Sequence, residues 1–229
     1  MRYAIYFAPG PGTDLARLAS DWLGRDAYNN APVEQSVPAG FSLSAMAELT
    51  ADARRYGFHA TIVAPFRLAP GANEKDLLQA LDEFTEKRAP FEIAHLVLGR
   101  LGPYFALVPD TAPQALGQLE SDCVERFQPF RSPLAADDIA RRKPDTLTPA
   151  QRQNLERWGY PYVREEFRFH MTLTNAVPQD RRDAVQPALE AHFAPVIAKP
   201  LLIDRLAVFL EPGPGAPFHC IHTSLLGNH

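Results

Sequence analysis

The order of apolar and polar positions divides the chain into segments of strand and helix character. Tyr3–Ala8 is rich in strand formers and ends at a Pro-Gly cluster, which predicts a first strand. A helix follows, capped by Thr13-Asp14 and ending at Gly24. Residues 25–44 are polar and punctuated by proline and glycine, so we expect an irregular segment there. The first half then continues with a strand within 57–66, a helix at 74–87, and strands at 91–98 and 104–108 joined by a turn at 99–103.

The second half of the chain repeats this order. Thr148 and Gln151 form a capping-box sequence, which predicts the start of a helix that ends at Trp158-Gly159. Residues 128–147 are rich in proline and charge and predict a long loop. The other predicted elements are a helix at 113–127, a strand at 166–176, a helix at about 180–193, and strands at 201–210 and 218–225. Each half thus contains a strand, a helix and two further strands, as in ferredoxin-like or split β-α-β units.

Two short segments carry the clearest chemical signal. Gly57–Ile62 and Arg168–Leu173 both contain Phe-His-x-Thr followed by an aliphatic residue. Their histidines, His59 and His170, lie 111 positions apart, close to half the chain. With 7 histidines and 10 threonines in the chain, chance would give roughly 0.3 His-x-Thr matches. Two matches in equivalent places of the two halves indicate an internal duplication.

The spacing within each motif has a physical meaning. Side chains alternate between the two faces of a strand, so His59 shares a face with Thr61, and His170 shares one with Thr172. Pseudo-twofold pairing of the halves would bring two imidazoles and two hydroxyls into one cleft. One neutral histidine can then take a proton from water, while the other, as imidazolium, protonates a leaving oxygen. The threonine hydroxyls can donate to phosphoryl oxygens, so displacement at phosphorus here requires no metal or other cofactor.

The paired motifs resemble those of the two-histidine (2H) phosphoesterase superfamily, which includes RNA 2′,5′-ligase-like enzymes and cyclic nucleotide phosphodiesterases. Longer stretches at 2–9, 54–61, 158–163 and 167–174 are similar to the phosphonate-metabolism branch of that superfamily. The resemblance implies an α+β fold in which antiparallel-dominated sheets line a central cleft and helices lie outside. It implies one duplicated domain over residues 1–229, with lobes at about 1–110 and 111–229.

The resemblance also implies a function. His59 and His170 would be catalytic, with Thr61 and Thr172 binding phosphate. A substrate from phosphonate breakdown is implied, and 5-phosphoribosyl 1,2-cyclic phosphate is a chemically apt one. We therefore expect a phosphodiesterase that opens a small cyclic phosphodiester. Two alternatives stay open: an RNA-end enzyme (a 2′,3′-cyclic phosphodiesterase or 2′,5′-ligase-like enzyme) that uses the same residues, and a non-catalytic protein that binds a phosphate ligand in the cleft.

Further candidates for substrate binding flank the motifs. Arg168 shares the face of His170 by strand alternation and offers a cation to a second phosphate, with a surface ion pair to Glu165 or Glu166 as the alternative. The other candidates are Arg141, Arg142 and Lys143, either closing over phosphate or simply solvated, and Tyr56 and Tyr160, either walls of the site or packing residues.

Four residues near the C-terminal end have a weaker pattern. His222 and Ser224 also fit an apolar-His-x-Ser sequence, but no helix follows, and we interpret the match as accidental. His219, Cys220 and His222 alternate across one strand, which argues against a metal site. We expect no metal and no cofactor.

Composition narrows the class of protein. The chain is 46% hydrophobic and 22% charged, close to the globular average, so a sizeable core is available. A net charge of −4 argues against a surface that grips long nucleic acid. Two cysteines are too few for a disulfide framework, and no apolar run approaches the length of a membrane span. We expect a soluble cytoplasmic protein whose partner is a small cyclic phosphate, and nothing in the sequence indicates an oligomeric state.

Overall fold

Strands and helices are interspersed along the chain. The structure, a computed structural model, describes residues 1–197 and 199–227, without the side chains of Asp137 and Arg141. The strands are β1 (Arg2–Phe7), β2 (Arg25–Asp26), β3 (Ala31–Pro32), β4 (Ala60–Phe66), β5 (Phe91–Ile93), β6 (Leu96–Leu101), β7 (Tyr104–Pro109), β8 (Met171–Thr172), β9 (Leu201–Ile203), β10 (Arg205–Glu211) and β11 (His219–Leu225). The helices are α1 (Asp14–Leu23), α2 (Leu43–Leu49), α3 (Ala51–Tyr56), α4 (Glu74–Glu86), α5 (Gln114–Phe127), α6 (Ala136–Arg141), α7 (Pro149–Trp158) and α8 (Arg182–Ile197).

A seven-stranded antiparallel sheet organises these elements. Its strand order is β11-β10-β1-β4-β8-β7-β6, so each side of the sheet takes strands from both halves of the chain. β4 meets β8 at the centre, through the single residue pair Ala60 and Met171. The α+β class with antiparallel sheets is confirmed, and the two sides form one continuous sheet rather than two separate ones.

One face of this sheet carries the main hydrophobic core. In β1, Tyr3, Ile5 and Phe7 point to this face, as strand alternation requires. The buried stripes of α1, α4, α5 and α8 cover it. No helix in the described part of the chain has the length and apolar character to cross a membrane.

The opposite face carries a smaller core that leaves part of the sheet open. Ala4, Tyr6 and Ala8 alternate onto this face and pack with Phe209 and Phe218. Because alanines flank Tyr6 on this face of β1, the sheet has room here for polar groups beside the cluster. The histidine motifs lie on this side.

Several element predictions were wrong in extent. The strand expected at 166–176 is reduced to the two residues of β8, although Leu173 N still donates to Phe105 O of β7. Leu173 O accepts from the Trp22 indole, Thr174 Oγ1 accepts from Phe105 N, and Asn175 N donates to Leu49 O. The regular ladder ends at Thr172 because an indole, a side-chain hydroxyl and the last residue of α2 bind these backbone groups.

Other boundaries also differ. The predicted strand at 91–98 splits, since β5 pairs with β9 while β6 pairs with β7 across a turn at Gly102, whose φ is +60°. The predicted strand at 201–210 likewise divides into β9 and β10 at Asp204. α2 begins at the end of the segment expected to be irregular, and α6 lies inside the predicted 128–147 loop.

Candidate active site

The pairing of β4 with β8 brings the two His-x-Thr motifs side by side. Ala60 and Met171 are directly opposite each other and fully buried on the core face. In an antiparallel pair, the residue before one partner faces the residue after the other. His59 is therefore opposite Thr172, and Thr61 is opposite His170, at the roughly 5 Å Cβ separation typical of such pairs. Two imidazoles and two hydroxyls thus share one patch of the open sheet face.

His59 is held by three neighbours. Its Nδ1 lies 2.8 Å from the carbonyl oxygen of Gly57, and its Nε2 lies 3.2 Å from Thr61 Oγ1. The carbonyl can only accept, so Nδ1 carries the proton and Nε2 is the free base, accepting from the Thr61 hydroxyl. The ring of Tyr6 stacks on the imidazole with centroids 3.6 Å apart and 18° between planes.

His170 is oriented by the same device. Its Nδ1 lies 2.7 Å from the carbonyl oxygen of Arg168, again two residues earlier in the chain. Both motif histidines, His59 and His170, are therefore locked in the tautomer that leaves Nε2 available for proton transfer. The repetition of this contact in both halves is a structural counterpart of the repeated sequence.

Burial lowers the pKa of both motif histidines. It lowers the pKa of His59 to about 4, with the hydrogen bond to Gly57 opposing the shift and the charge of His170 adding to it. The pKa of His170 is also lowered by burial, against a raising effect of the Arg168 carbonyl. Both imidazoles are therefore neutral at pH 7 in the unliganded protein. The effect of His170 on the pKa of His59 also shows that the two rings are close to each other.

Gly57 has a conformation that only glycine tolerates well. Its φ is +76° and its ψ is 167°, a region that is essentially restricted to glycine. A Cβ built there would lie 2.4 Å from the Cβ of Ala27. This backbone turn after α3 aims the Gly57 carbonyl at His59.

A cavity of about 440 Å³ opens beside His170 and Thr61. It falls within the range of small-molecule sites. We call it the His170 cavity; its walls are mainly aromatic and cationic, formed by Arg100, Tyr104, Tyr160, Tyr162, Phe167 and Arg168. Arg168 is exposed, and among the described side chains it has no ion pair with Glu165 or Glu166. Glu166 instead accepts from Gln151 Nε2 at 2.8 Å.

The other predicted binding residues are placed differently. The ring centroid of Tyr56 lies 6.4 Å from that of His59, and Tyr160 is a wall of the His170 cavity. The Arg142 guanidinium lies 4.7 Å from the Tyr160 ring centroid. Lys143, among the residues the structure describes, does not line the cavities that contain Tyr56 or His170. The prediction for Arg141 concerns a side chain outside the described part of the structure.

The C-terminal histidine pattern lies elsewhere on the sheet. His222 Nε2 is 2.7 Å from Asp82 Oδ1, and Ser224 Oγ is 2.6 Å from Thr85 Oγ1, so both residues bind α4. They contribute to packing at the β11 edge. Within residues 1–197 and 199–227, no group of three or more His, Cys, Asp or Glu side chains is arranged to hold a metal ion.

Sequence reasoning missed Tyr6 as a residue of the site. Tyr6 pairs with Thr61 in the β1–β4 register, which places its ring beside the first motif. A signal was present, because Arg2, Ala4, Tyr6 and Ala8 alternate with the larger apolar residues of β1. That alternation indicates a strand face that is not wholly committed to the core.

The chain belongs to the family described as "Protein of unknown function (DUF1045)", whose pattern matches residues 61–219. Two curated relatives are named "Ribose 1,5-bisphosphate phosphokinase PhnN". The one from Janthinobacterium sp. (strain Marseille) is 41% identical over 221 residues, covering 95% of this chain and 49% of the relative. The one from Laribacter hongkongensis (strain HLHK9) is 36% identical over 220 residues, covering 95% and 50%. The chain thus spans about half the length of these relatives.

Several solved structures align with most of this chain at low sequence identity. The Thermus thermophilus protein TT0787 aligns over 100% of both chains with 13% identity and a TM-score of 0.49. E. coli LigT, complexed with NADP⁺, covers 99% of this chain and 98% of its own at 11% identity and a TM-score of 0.44. A protein described as a phosphoesterase covers 98% and 97% at 10% identity and a TM-score of 0.44. At these levels of similarity the alignments say nothing about the reaction.

Proposed function

We propose that this protein is a phosphodiesterase of the 2H type that opens a small cyclic phosphodiester by paired histidine catalysis. The observation that carries the proposal is the shared geometry of His59 and His170. They project from adjacent strands onto one sheet face, each with Nδ1 fixed by the carbonyl two residues earlier. Both Nε2 atoms are then oriented for proton transfer at a common centre.

The asymmetry of the two histidines supports distinct roles. His59 has the deeper burial and a pKa near 4, so it is deprotonated at neutral pH and has the form that a base requires: its Nε2 takes a proton from water as the water oxygen attacks phosphorus. His170 supplies the proton to the leaving oxygen of the cyclic phosphodiester as the bond between that oxygen and phosphorus breaks. An anionic substrate raises the pKa of His170 and so favours its imidazolium form in the complex. In the complex the Thr61 hydroxyl turns from His59 Nε2 to one non-bridging oxygen, which frees Nε2 for the water, and the Thr172 hydroxyl donates to the other.

The substrate we propose is 5-phosphoribosyl 1,2-cyclic phosphate. The names of the curated relatives supply a chemical link, because breaking the bond from phosphorus to O2 of this compound yields ribose 1,5-bisphosphate. The chain contains no G-x-x-x-x-G-K-[ST] nucleotide-binding sequence, so our proposal rests on its own His-x-Thr pair and not on the phosphokinase in those names.

Hydrolysis of 5-phosphoribosyl 1,2-cyclic phosphate in the presence of EDTA tests the proposal. We expect turnover by the wild type that survives chelation. Each of His59→Ala and His170→Ala should lower kcat by about 10²–10⁴-fold, the usual contribution of one proton-transfer group. His95→Ala is the matched control, because His95 is exposed and outside the His170 cavity; its activity should equal that of the wild type.

Other outcomes would redirect the proposal. Histidine-dependent cleavage of 2′,3′-cyclic nucleotides without turnover of the ribosyl compound would retain the mechanism and assign the substrate to RNA ends. Loss of activity on chelation would overturn the metal-independent mechanism. Absence of turnover with both substrates would leave binding of a phosphate ligand as the function of the cleft.

A further inference from the structure

A second, smaller cavity is lined in part by Tyr56, and one of its arginines, Arg142, lies over the ring of Tyr160. Its volume is about 140 Å³, well below that of sites for whole small molecules, so it suits a single chemical group. Four guanidinium groups line it. We call it the arginine pocket, and these four residues are Arg2, Arg67, Arg131 and Arg142.

The charges of the arginine pocket do not balance among the described side chains. Arg67 forms an ion pair with Asp138, which also lines the pocket. Arg2 forms a bidentate ion pair with the buried carboxylate of Glu211. For Arg131 and Arg142, the described side chains provide no carboxylate oxygen within ion-pair distance. Four guanidinium groups thus face one carboxylate of the lining, Asp138, and the adjacent Glu211, so positive charge is in excess in this small cavity, an arrangement that favours a polyanionic group.

The backbone around Arg131 is shaped to hold its guanidinium. Arg131 Nη2 donates to the carbonyl oxygen of Gly159 at 2.7 Å. Gly159 ends α7 with φ +70°, and a Cβ at that position would lie 2.1 Å from Arg131 Nε. The Arg131 guanidinium thus occupies the space that a side chain at position 159 would fill. Burial and the nearby charge of Arg142 lower the pKa of Arg131 to about 10, against a raising effect of Asp138, and an anion bound here would oppose that lowering.

The arginine pocket adjoins the motif histidines. Tyr56 lines the pocket, and its ring is close to that of His59. Arg142 also lines the pocket while lying over the ring of Tyr160, a wall of the His170 cavity. A ligand held at the histidines can therefore extend a second group past these tyrosines toward the arginines.

We propose that the arginine pocket is a subsite for a terminal phosphate monoester of the substrate, held mainly by Arg131 and Arg142. The inference rests on the proposed function and narrows its substrate class to cyclic phosphodiesters that carry a second, non-reacting phosphate. The Arg142 guanidinium binds that phosphate and, through its contact with Tyr160, couples the subsite to the wall of the catalytic cavity.

Two substrates that differ only in the remote phosphate provide the kinetic test. We would measure kcat/KM for 5-phosphoribosyl 1,2-cyclic phosphate and for ribose 1,2-cyclic phosphate. The wild type should prefer the first by about 10- to 100-fold, as expected when charge-assisted hydrogen bonds to a phosphate are gained. Arg142→Met and Arg131→Met should bring this ratio close to 1. Arg126→Met, which removes an exposed arginine paired with Glu83, should leave the ratio at the wild-type value.

A binding measurement separates failure of the subsite from failure of the proposed function. Calorimetric titration with ribose 5-phosphate should show binding to the wild type and to His59→Ala, and a loss of at least 10-fold in affinity for Arg142→Met. If no cyclic phosphodiester is turned over, the proposed function fails and this titration alone decides the subsite. Three results would each overturn the subsite. The first is a wild-type ratio of kcat/KM between the two substrates that is near 1, and the second is an equal loss of kcat/KM on both substrates in the arginine variants. The third is ribose 5-phosphate binding that is absent or insensitive to Arg142→Met.

Discussion

The ring of Tyr6 stacks against the imidazole of His59, with centroids 3.6 Å apart and planes 18° from parallel. The contact follows from the pairing of Tyr6 with Thr61 between neighbouring strands. One face of the imidazole is thereby shielded from water, and burial is the largest cause of its lowered pKa. Under the proposed mechanism, Tyr6 is therefore a positioning residue for His59.

We predict that Tyr6→Leu changes the pH dependence of kcat/KM. Without the ring, His59 becomes better hydrated and its pKa moves from about 4 toward its ordinary value of 6.5. A base is active when deprotonated, so the variant should lose activity at pH 5 relative to pH 7, while the wild type retains its base in active form at both. Tyr6→Phe keeps the ring and should keep the wild-type profile; a parallel drop at every pH in Tyr6→Leu would instead indicate a purely structural role.

The neutral, buried state of His59 also predicts how stability depends on pH. Between pH 7 and pH 5 the unfolded chain binds a proton at this residue and the folded protein does not, so the free energy of unfolding falls as pH falls. For a folded pKa near 4 and an unfolded pKa of 6.5, the loss over this interval is about 2 kcal/mol. Urea unfolding at the two pH values, compared between wild type and His59→Gln, measures it.

The comparison with His59→Gln is needed because Glu120 changes the free energy of unfolding with pH in the opposite direction. Burial raises the pKa of Glu120 to about 7, so this carboxyl favours the folded state at low pH and that stability is lost as pH rises toward 7. Glu120 is unchanged in His59→Gln and cancels in the difference. Equal acid destabilisation of the two proteins would contradict the lowered pKa of His59.

The sequence predicted which residues meet at the site better than it predicted the strands that carry them. The identity and spacing of His59, Thr61, His170 and Thr172 were enough, because period-two alternation fixes a face even in a very short strand. The length of β8 was not predictable, since it depends on partners as distant as Trp22 and Leu49 at the end of α2. Local strand propensity contains no information about such contacts.

The arginine pocket shows a second limit of the sequence. Arg2 lies on β1, Arg67 directly follows β4, Arg131 follows α5 and Arg142 follows α6, so only the tertiary fold brings them together. The run at 141–143 suggested a phosphate-binding loop, but composition cannot show which of its members face the pocket. Arg142 does so, whereas Lys143 does not line it among the described residues. Charge in a loop indicates a capacity to bind anions and leaves the direction of each side chain open.

The hydroxyls of the motif threonines should matter for the rate and little for stability. Thr61→Val and Thr172→Val remove a donor to the phosphoryl oxygens at nearly constant volume, and we expect each to lower kcat by about 10- to 100-fold. Thr61→Ser and Thr172→Ser should stay within a few-fold of wild type. Thr174→Val is a contrasting control: its buried hydroxyl accepts from Phe105 N, so its loss should cost about 1–2 kcal/mol of stability with little effect on kcat. Full activity in both valine variants would exclude the threonines from the mechanism.

Gly57 links backbone strain to catalysis, and its replacement by alanine should damage both stability and rate. A Cβ at Gly57 meets Ala27 at 2.4 Å in a conformation that other residues avoid, so Gly57→Ala should cost about 2–5 kcal/mol in the free energy of unfolding. Gly12→Ala provides the matched control, because Gly12 also has a positive φ, +88°, but no atom lies within 4 Å of its Cβ position. Gly12→Ala should lose about 1 kcal/mol in the free energy of unfolding and retain full activity.

At a temperature where Gly57→Ala remains folded, its kcat should still fall, because relief of the clash moves the carbonyl that holds His59 Nδ1. If Gly57→Ala were no less stable and no less active than Gly12→Ala, the carbonyl of Gly57 would have no positioning role.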